Sequence, residues 1–230
     1  MSNDPVFDAA LSDHFYGKMT GPLLIHNTYG PPDEMSPEVY FRDENSLMDL
    51  EDYALSLCKG SVLDVGAGTG ALSLILQQRG LQVDALEQSA VACSIMKSRG
   101  VSQIFCQDYF DFTGAKRYET LLFLMNGIGL CKKLDYLKFI FRHAKNLLAP
   151  GGQLIFDSSD VRYVFDSIPT DHYYGEMKYR YEYNDALGPW FHWLYVDPTT
   201  LLDVVPETGF KVQIIAEDSS GHFLARATKI

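Results

Sequence analysis

Apolar residues change their spacing twice along the chain. Over residues 43–57 they recur at helical intervals, and Pro31, Pro32 and Pro37 interrupt the stretch before them. This pattern predicts a helical, turn-punctuated N-terminal cap or lid over 1–55. From residue 61, short apolar runs alternate with helix-spaced segments. Runs at 61–65, 82–86, 103–106, 119–125 and 154–157 read as strands, and 69–79, 89–98 and 135–148 as helices. Gly80 and Gly100 stop the first two helices, Ser89 caps the second, and Pro150-Gly151-Gly152 ends the third. Apolar strands separated by helices predict a mostly parallel sheet covered on both faces. Ligands of such sheets sit beyond the carboxyl ends of the strands. The loops after Val65, Leu86, Cys106, Met125 and Phe156 should therefore share one crevice.

The last third switches to a period of two. Tyr179, Tyr181 and Tyr183 alternate with Lys178, Arg180 and Glu182, and Phe191, Trp193 and Tyr195 alternate with His192 and Leu194. The turn-rich 184–189 between them predicts an aromatic β-hairpin inserted within 165–197. A short helix at 198–205 and strands at 210–216 and 222–228 follow. The expected architecture is α/β and Rossmann-like: a mostly parallel sheet with helices on both faces, closed by a C-terminal antiparallel hairpin. To it are added the helical N-terminal cap (1–55) and, within the 56–230 domain, the inserted β-hairpin.

Composition narrows the function classes. A chain of 230 residues with 47% hydrophobic content can bury one substantial core. Thirty acidic residues against 19 basic ones give a net charge of −11, and the basic residues cluster no further than Lys132-Lys133 and Lys178 with Arg180. That argues against nucleic acid as a partner. Cys58, Cys93, Cys106 and Cys131 form no C-x-x-C pair, so no metal site and no disulfide framework is expected. The N-terminus lacks a signal-peptide pattern and the apolar run 121–124 is too short for a membrane span. A cytoplasmic protein with no membrane partner is the expectation.

The central motif is Val62-Leu63-Asp64-Val65-Gly66-Ala67-Gly68-Thr69-Gly70, a strand running into a glycine turn that opens a helix. Glycines there permit a turn other residues resist and let a ligand approach the main chain. Free amides at the helix start would suit an anion. Gly66, Gly68 and Ala71 also satisfy the dinucleotide spacing G-x-G-x-x-G/A. Glu87, directly after the second strand, can accept both hydroxyls of a ribose, and NAD enzymes place an acid there too. The two features indicate an adenosine-containing cofactor without choosing which. Asp64 lies inside an apolar strand, where a buried carboxylate requires partners.

Leu63 to Gly70 resembles the first motif of class I S-adenosylmethionine-dependent methyltransferases. Glu87 falls where that family keeps its ribose-binding acid, Gln107-Asp108-Tyr109 resembles the segment holding adenine, and 147–152 is similar to the family's turn into its fifth strand. The resemblance implies S-adenosyl-L-methionine as cofactor and S-adenosyl-L-homocysteine as product. It implies cofactor contacts from Asp64, Gly66, Ala67, Gly68, Gly70, Glu87, Gln88, Asp108, Tyr109, Asn126 and Gly127. Arg42, in the lid segment Tyr40-Phe41-Arg42, would approach the methionyl carboxylate. The loop Met125-Asn126-Gly127-Ile128-Gly129 departs from the Asn-Pro-Pro-Tyr type that methylates amides and exocyclic amines, which argues against a nucleic-acid amino-methyltransferase.

The methyl donor is already activated, so the protein must chiefly align it with the nucleophile. A base is needed only for a protonated acceptor. Asp157, at the end of the fifth strand, and His192, on the hairpin, are the candidates; Asp157 could instead help Ser158, Ser159 and Asp160 cap a following helix. His26 and Tyr29 are weaker choices. The aromatic density from Tyr173 to Tyr195, with Trp190 and Trp193, could wall an apolar or cationic acceptor. The expected function is methyl transfer to a small-molecule acceptor. The alternatives are an NAD(P)-dependent oxidoreductase or a non-catalytic S-adenosylmethionine-binding module.

Overall fold

The computed structural model describes residues 4–114 and 116–230. The first three residues of the predicted cap lie outside them. In chain order the elements are α1 (Pro5–Phe15), β1 (Leu24–Asn27), β2 (Asp33–Glu34), α2 (Asp49–Ser56), β3 (Ser61–Val65), α3 (Ala71–Gln78), β4 (Gln82–Glu87), α4 (Ala90–Arg99), β5 (Ile104–Cys106) and β6 (Tyr118–Phe123). They continue with α5 (Leu134–Leu147), β7 (Leu148–Ser159), β8 (Glu176–Tyr183), β9 (Ala186–Leu187), β10 (Phe191–Leu194), α6 (Pro198–Val204), β11 (Phe210–Glu217) and β12 (His222–Lys229).

Seven strands form the main sheet in the order β11-β12-β7-β6-β3-β4-β5. The strands from β7 to β5 pair in parallel, and β12 and β11 close the edge antiparallel, as the sequence predicts. The strand alternation splits the core. Leu63, Leu121, Phe123, Leu154 and Phe156 face one side, where α5 lays down Leu137, Ile140, Phe141, Ala144 and Leu147 at helical spacing. Val62, Leu122, Ile155 and Leu224 face the other, against Ala54, Leu55, Leu72, Ile75 and Leu76 of α2 and α3. Each Val, Leu, Ile or Phe side chain among them contributes about 1.5–3 kcal/mol on burial.

Local chemistry sets the helix ends. Ser89 accepts from the Ala92 amide and Gly100 ends α4 at φ 95°. Three boundaries differ from expectation. The helix predicted over 43–57 is divided: Asp43 accepts from the Asn45 amide and the Ser46 hydroxyl, holding a 3-10 turn over Glu44–Ser46. That competing local bond delays α2 until Asp49, where Glu51 reaches back to the Met48 amide. Pro150-Gly151-Gly152 does not stop α5, which ends at Leu147; it lies within β7, where the register against β6 slips between Tyr118 and Thr120. No α-helix follows Asp157 to cap: β7 runs on to Ser159, and Asp160 instead accepts from the Arg162 amide at a short 3-10 turn.

The cap is not wholly helical. Its β1 pairs antiparallel with β8, and a second sheet runs in the order β10-β8-β1-β2, with β9 also paired to β8. The predicted aromatic hairpin is present, with Phe191 opposite Tyr179 and its tip at Asn184 and Asp185, both at positive φ. Phe7, Leu11, Leu23, Tyr40, Tyr181 and Tyr183 pack cap and hairpin into one cluster. This sheet roofs the carboxyl ends of the main strands.

Candidate active site

The glycine loop begins where β3 ends. Gly66, Gly68 and Gly70 sit at φ 72°, 57° and 81°, left-handed values that disfavour a Cβ. Their surroundings separate their roles. A Cβ on Gly66 would enter open space, whereas one on Gly70 would lie 2.6 Å from Val101 Cγ2. Gly66 is thus the open floor of the site, and Gly70 serves the packing of α3 on α4. The loop offers fewer free amides than expected. The Gly66 and Ala67 N–H groups both donate to Leu86 O, Gly70 N–H donates to Ala67 O, and Gly68 N–H donates to Glu87 Oε2 at 3.0 Å. The turn folds tightly over the end of β4, and these four amides are engaged within the protein.

Glu87 is almost fully buried, and its other oxygen accepts from the Ser89 amide at 2.9 Å. Each carboxylate oxygen keeps a further lone pair for a ligand hydroxyl. Asp64, equally buried, accepts from Ser73 Oγ at 2.6 Å. Burial, reinforced by the nearby Glu87 charge, pushes its carboxyl up to about 6. Asp108 caps a 3-10 turn through the Phe110 amide. The Tyr109 ring is core: its hydroxyl donates to Ile140 O at 3.0 Å, and its ring meets Phe123 and His143 edge-on.

Two adjoining cavities open above this loop. The first, about 240 Å³, is lined by Glu87, Gln88, Gln107, Asp108 and Tyr109 on one side and by Lys132, His192 and Trp193 on the other. The second, about 160 Å³, is lined by Asp64, Ala67, Gly68 and Gly127 from the core, and by Tyr40, Tyr179, Tyr181 and Tyr195 from the roof. Val65, Gly66, Leu130, Phe191 and Trp193 border both. The volumes together reach the range of cofactor pockets, roughly 300–1,000 Å³. The glycine floor, the ribose-competent carboxylate and Asp108 fit an adenosine in the first cavity. The second adjoins it beneath the aromatic roof.

Most of the residues singled out in the sequence converge here, but Gly70, Arg42, Asp157, Asn126, His26, Tyr29 and Trp190 line neither cavity. Gly70 packs beneath the loop. Arg42 lines neither cavity: it donates to the buried carboxylate of Glu51 at 2.5 Å. Asp157 also lines neither; it accepts from the Asn126 amide at 2.7 Å and from His222 Nε2 at 2.9 Å. Asn126 stands beside the second cavity at φ 54°, and His192 borders the first. Burial and the lysines Lys133 and Lys178 hold the His192 imidazole below its usual range, toward the neutral form. His26 is taken by Glu182 at 2.5 Å.

Sequence reasoning passed over Arg99. Its guanidinium donates to Thr69 O, Thr69 Oγ1, Tyr40 O and Phe41 O, stitching the cap to the glycine loop. Thr69 Oγ1 also donates to Tyr40 O. No motif marks Arg99; it closes α4, and only the packing of α4 beside α3 brings it to the loop. Among the described residues no cluster of His, Cys, Asp or Glu could hold a metal ion, and no helix is long and apolar enough to cross a membrane.

Comparison with known proteins agrees with this geometry. The family described as "Methyltransferase domain" matches residues 41–214. The fold superposes on an S-adenosylmethionine-dependent methyltransferase from Bacteroides fragilis, solved with S-adenosyl-L-homocysteine, at a TM-score of 0.89 and 34% identity, covering 100% of this chain and 96% of that one. It is also similar to the methyltransferase CcbJ of Streptomyces caelestis (TM-score 0.64, 16% identity, 79% and 89% covered). A third likeness is to the sugar N-methyltransferase KedS8 of a Streptoalloteichus species (0.60, 15%, 87% and 96%). No curated protein matches the chain. The dinucleotide and non-catalytic alternatives are set aside. The chain belongs to the S-adenosylmethionine-dependent methyltransferases, and it transfers a methyl group from that cofactor to an acceptor.

Proposed function

We propose that the acceptor is a small molecule enclosed between the glycine loop and the aromatic roof. The carrying observation is the second cavity itself: about 160 Å³, bounded overhead by Tyr40, Tyr179, Tyr181, Tyr195 and Trp193. A folded nucleic acid or protein cannot enter a space of that size, whereas a small molecule can. In this reading Glu87 grips the ribose hydroxyls, Asp108 meets the adenine edge, and Gly66 lets the cofactor lie against the main chain. S-Adenosylmethionine, when bound, supplies an activated methyl group. The protein's own task is to exclude water and align the nucleophile.

The lining also bears on the nucleophile. Burial raises the phenols of Tyr40, Tyr179 and Tyr195, so they stay protonated and act as hydrogen-bonding partners rather than bases. Among the described residues the one carboxyl lining this cavity is Asp64, which Ser73 engages. The wall therefore suits an acceptor with an apolar or aromatic body and a nucleophile that already carries a free lone pair, such as a neutral amine. The four free cysteines fit a reducing cytoplasmic setting.

The test is methyl transfer from radiolabelled cofactor to a panel of small aromatic and aliphatic amines, with peptides and RNA alongside. Turnover confined to small amines, and lost in Tyr181→Ala, is the expected result. Turnover on peptide or RNA with none on the small molecules would sink the reading.

A further inference from the structure

The loop after β6 carries two consecutive non-glycine residues in the left-handed region, Met125 at φ 60° and Asn126 at φ 54°. A Cβ disfavours this conformation at each position, so surrounding contacts must hold it. Those contacts converge on Asn126. Its amide donates to Asp157 Oδ1 at 2.7 Å, its Oδ1 accepts from Ser159 Oγ at 3.1 Å, and its carbonyl accepts from Trp193 Nε1 at 3.0 Å. Gly129 completes the fit, because a Cβ there would collide with the Trp193 indole. Met125, Gly127 and Trp193 all line the second cavity, so this strained turn forms part of its wall.

Asp157 is 2% exposed, and its second oxygen meets His222 Nε2 at 2.9 Å. The register that places His222 opposite Ser159, two residues from Asp157, puts both side chains on one face of the β7–β12 ladder. We propose that Asp157 and His222 are a positioning pair that holds the 125–129 turn, and with it Trp193, in the shape the cavity requires. The pair touches no reacting atom. What it positions rests on the small-molecule reading above; that it holds the turn does not.

Three carboxylates face His222: Asp157 from β7, Asp218 from the β11–β12 turn with its Oδ2 3.9 Å from Nδ1, and Glu51 from α2, which already carries Arg42. Their joint effect, led by the Asp157 hydrogen bond, raises the imidazole above its ordinary 6.5. The pair keeps its charge assistance only while His222 is protonated and loses it as pH rises through that raised value.

The test needs no acceptor. In Trp190→Phe protein, Trp193 is the single remaining tryptophan and reports the turn by its emission. Emission should follow one transition above pH 6.5, abolished by His222→Gln. Hydrogen exchange in a peptide spanning 125–131 should accelerate about tenfold in Asp157→Asn, with the 134–147 peptide unchanged. Asn126→Gly removes the Cβ penalty and should bring exchange in that background back to within about threefold of the parent. Trp193 emission that ignores pH in the parent overturns the proposal. So does 125–131 exchange within about twofold of the parent in both single variants. Should Asp157→Asn fail to fold, His222→Gln alone decides. None of these outcomes bears on which molecule is methylated.

Discussion

Glu87→Ala separates the backbone contacts of one side chain from its proposed grip on the ribose. The carboxylate is 3% exposed and accepts two backbone N–H groups, from Gly68 at 3.0 Å and Ser89 at 2.9 Å. Removing it strands both donors, and a buried unsatisfied donor costs about 1–3 kcal/mol. Because Glu87 borders a cavity, water can reach them in part, so about 2–3 kcal/mol is the expected total. For a chain of this length each kcal/mol moves Tm by about 2–4 °C. The ligand-free variant should therefore melt roughly 5–10 °C lower. Independently, loss of a charge-assisted grip on the ribose removes about 1.5–3 kcal/mol per hydrogen bond, weakening S-adenosyl-L-homocysteine by at least about tenfold in titration calorimetry. Glu87→Gln keeps the volume and one acceptor oxygen and should fall midway on both measures. An unchanged Tm would show that the two backbone bonds carry no stability, and an unchanged dissociation constant would remove Glu87 from the cofactor site.

Three other substitutions probe separate links. Gly66→Val places its side chain in the open floor and should weaken S-adenosyl-L-homocysteine by more than about 100-fold, at about 1–2 kcal/mol of stability from the positive φ; near-native affinity in a folded variant would contradict the floor assignment. Arg42→Ala strands the Glu51 carboxylate and should lower stability to urea by about 3–5 kcal/mol with S-adenosyl-L-homocysteine affinity within about threefold; lost affinity at unchanged stability would return Arg42 to the cofactor. Asp64, pushed up to about 6 against an ordinary 3.8, penalises the folded state when ionised. That penalty is present above pH 6 and vanishes as pH falls from 6 toward 4. Relative to Asp64→Asn, the unliganded wild type should thus gain up to about 3 kcal/mol between pH 7 and pH 4; a pH-independent difference between the two urea midpoints would refute it.

The main sheet is legible in the sequence because its central strands are buried on both faces. They therefore read as apolar runs, and Ser89 and Gly100 mark the ends of α4 by local chemistry alone. The glycine loop is legible for the same reason: its constraint lies within nine consecutive residues. What escapes is long-range. β1 is a four-residue strand of half-buried side chains, and its partner β8 brings Glu182 to His26 across 156 positions of the chain. No local period announces such a strand. The two arginines make the point at the site. Arg42 lies in the lid segment and Arg99 at the end of a helix, yet Arg99 ties the cap to the loop while Arg42 neutralises Glu51. Asp157 is conspicuous in the sequence, but its partner His222 reaches it only through the β7–β12 register.

If the acceptor lies beneath it as proposed, the shared sheet of β1 and β8 has a consequence for how acceptor preference can change. Its strands come from two distant stretches, 24–34 and 176–194, and neither is complete alone. A chimera that transplants just one stretch from a relative would mismatch side chains across the ladder or leave a bare edge prone to aggregation. Exchanging both as a matched set leaves the β3–α3 turn and β4 untouched. Substrate range in this scaffold should therefore diversify by paired replacement of two distant segments while the nucleoside half stays constant.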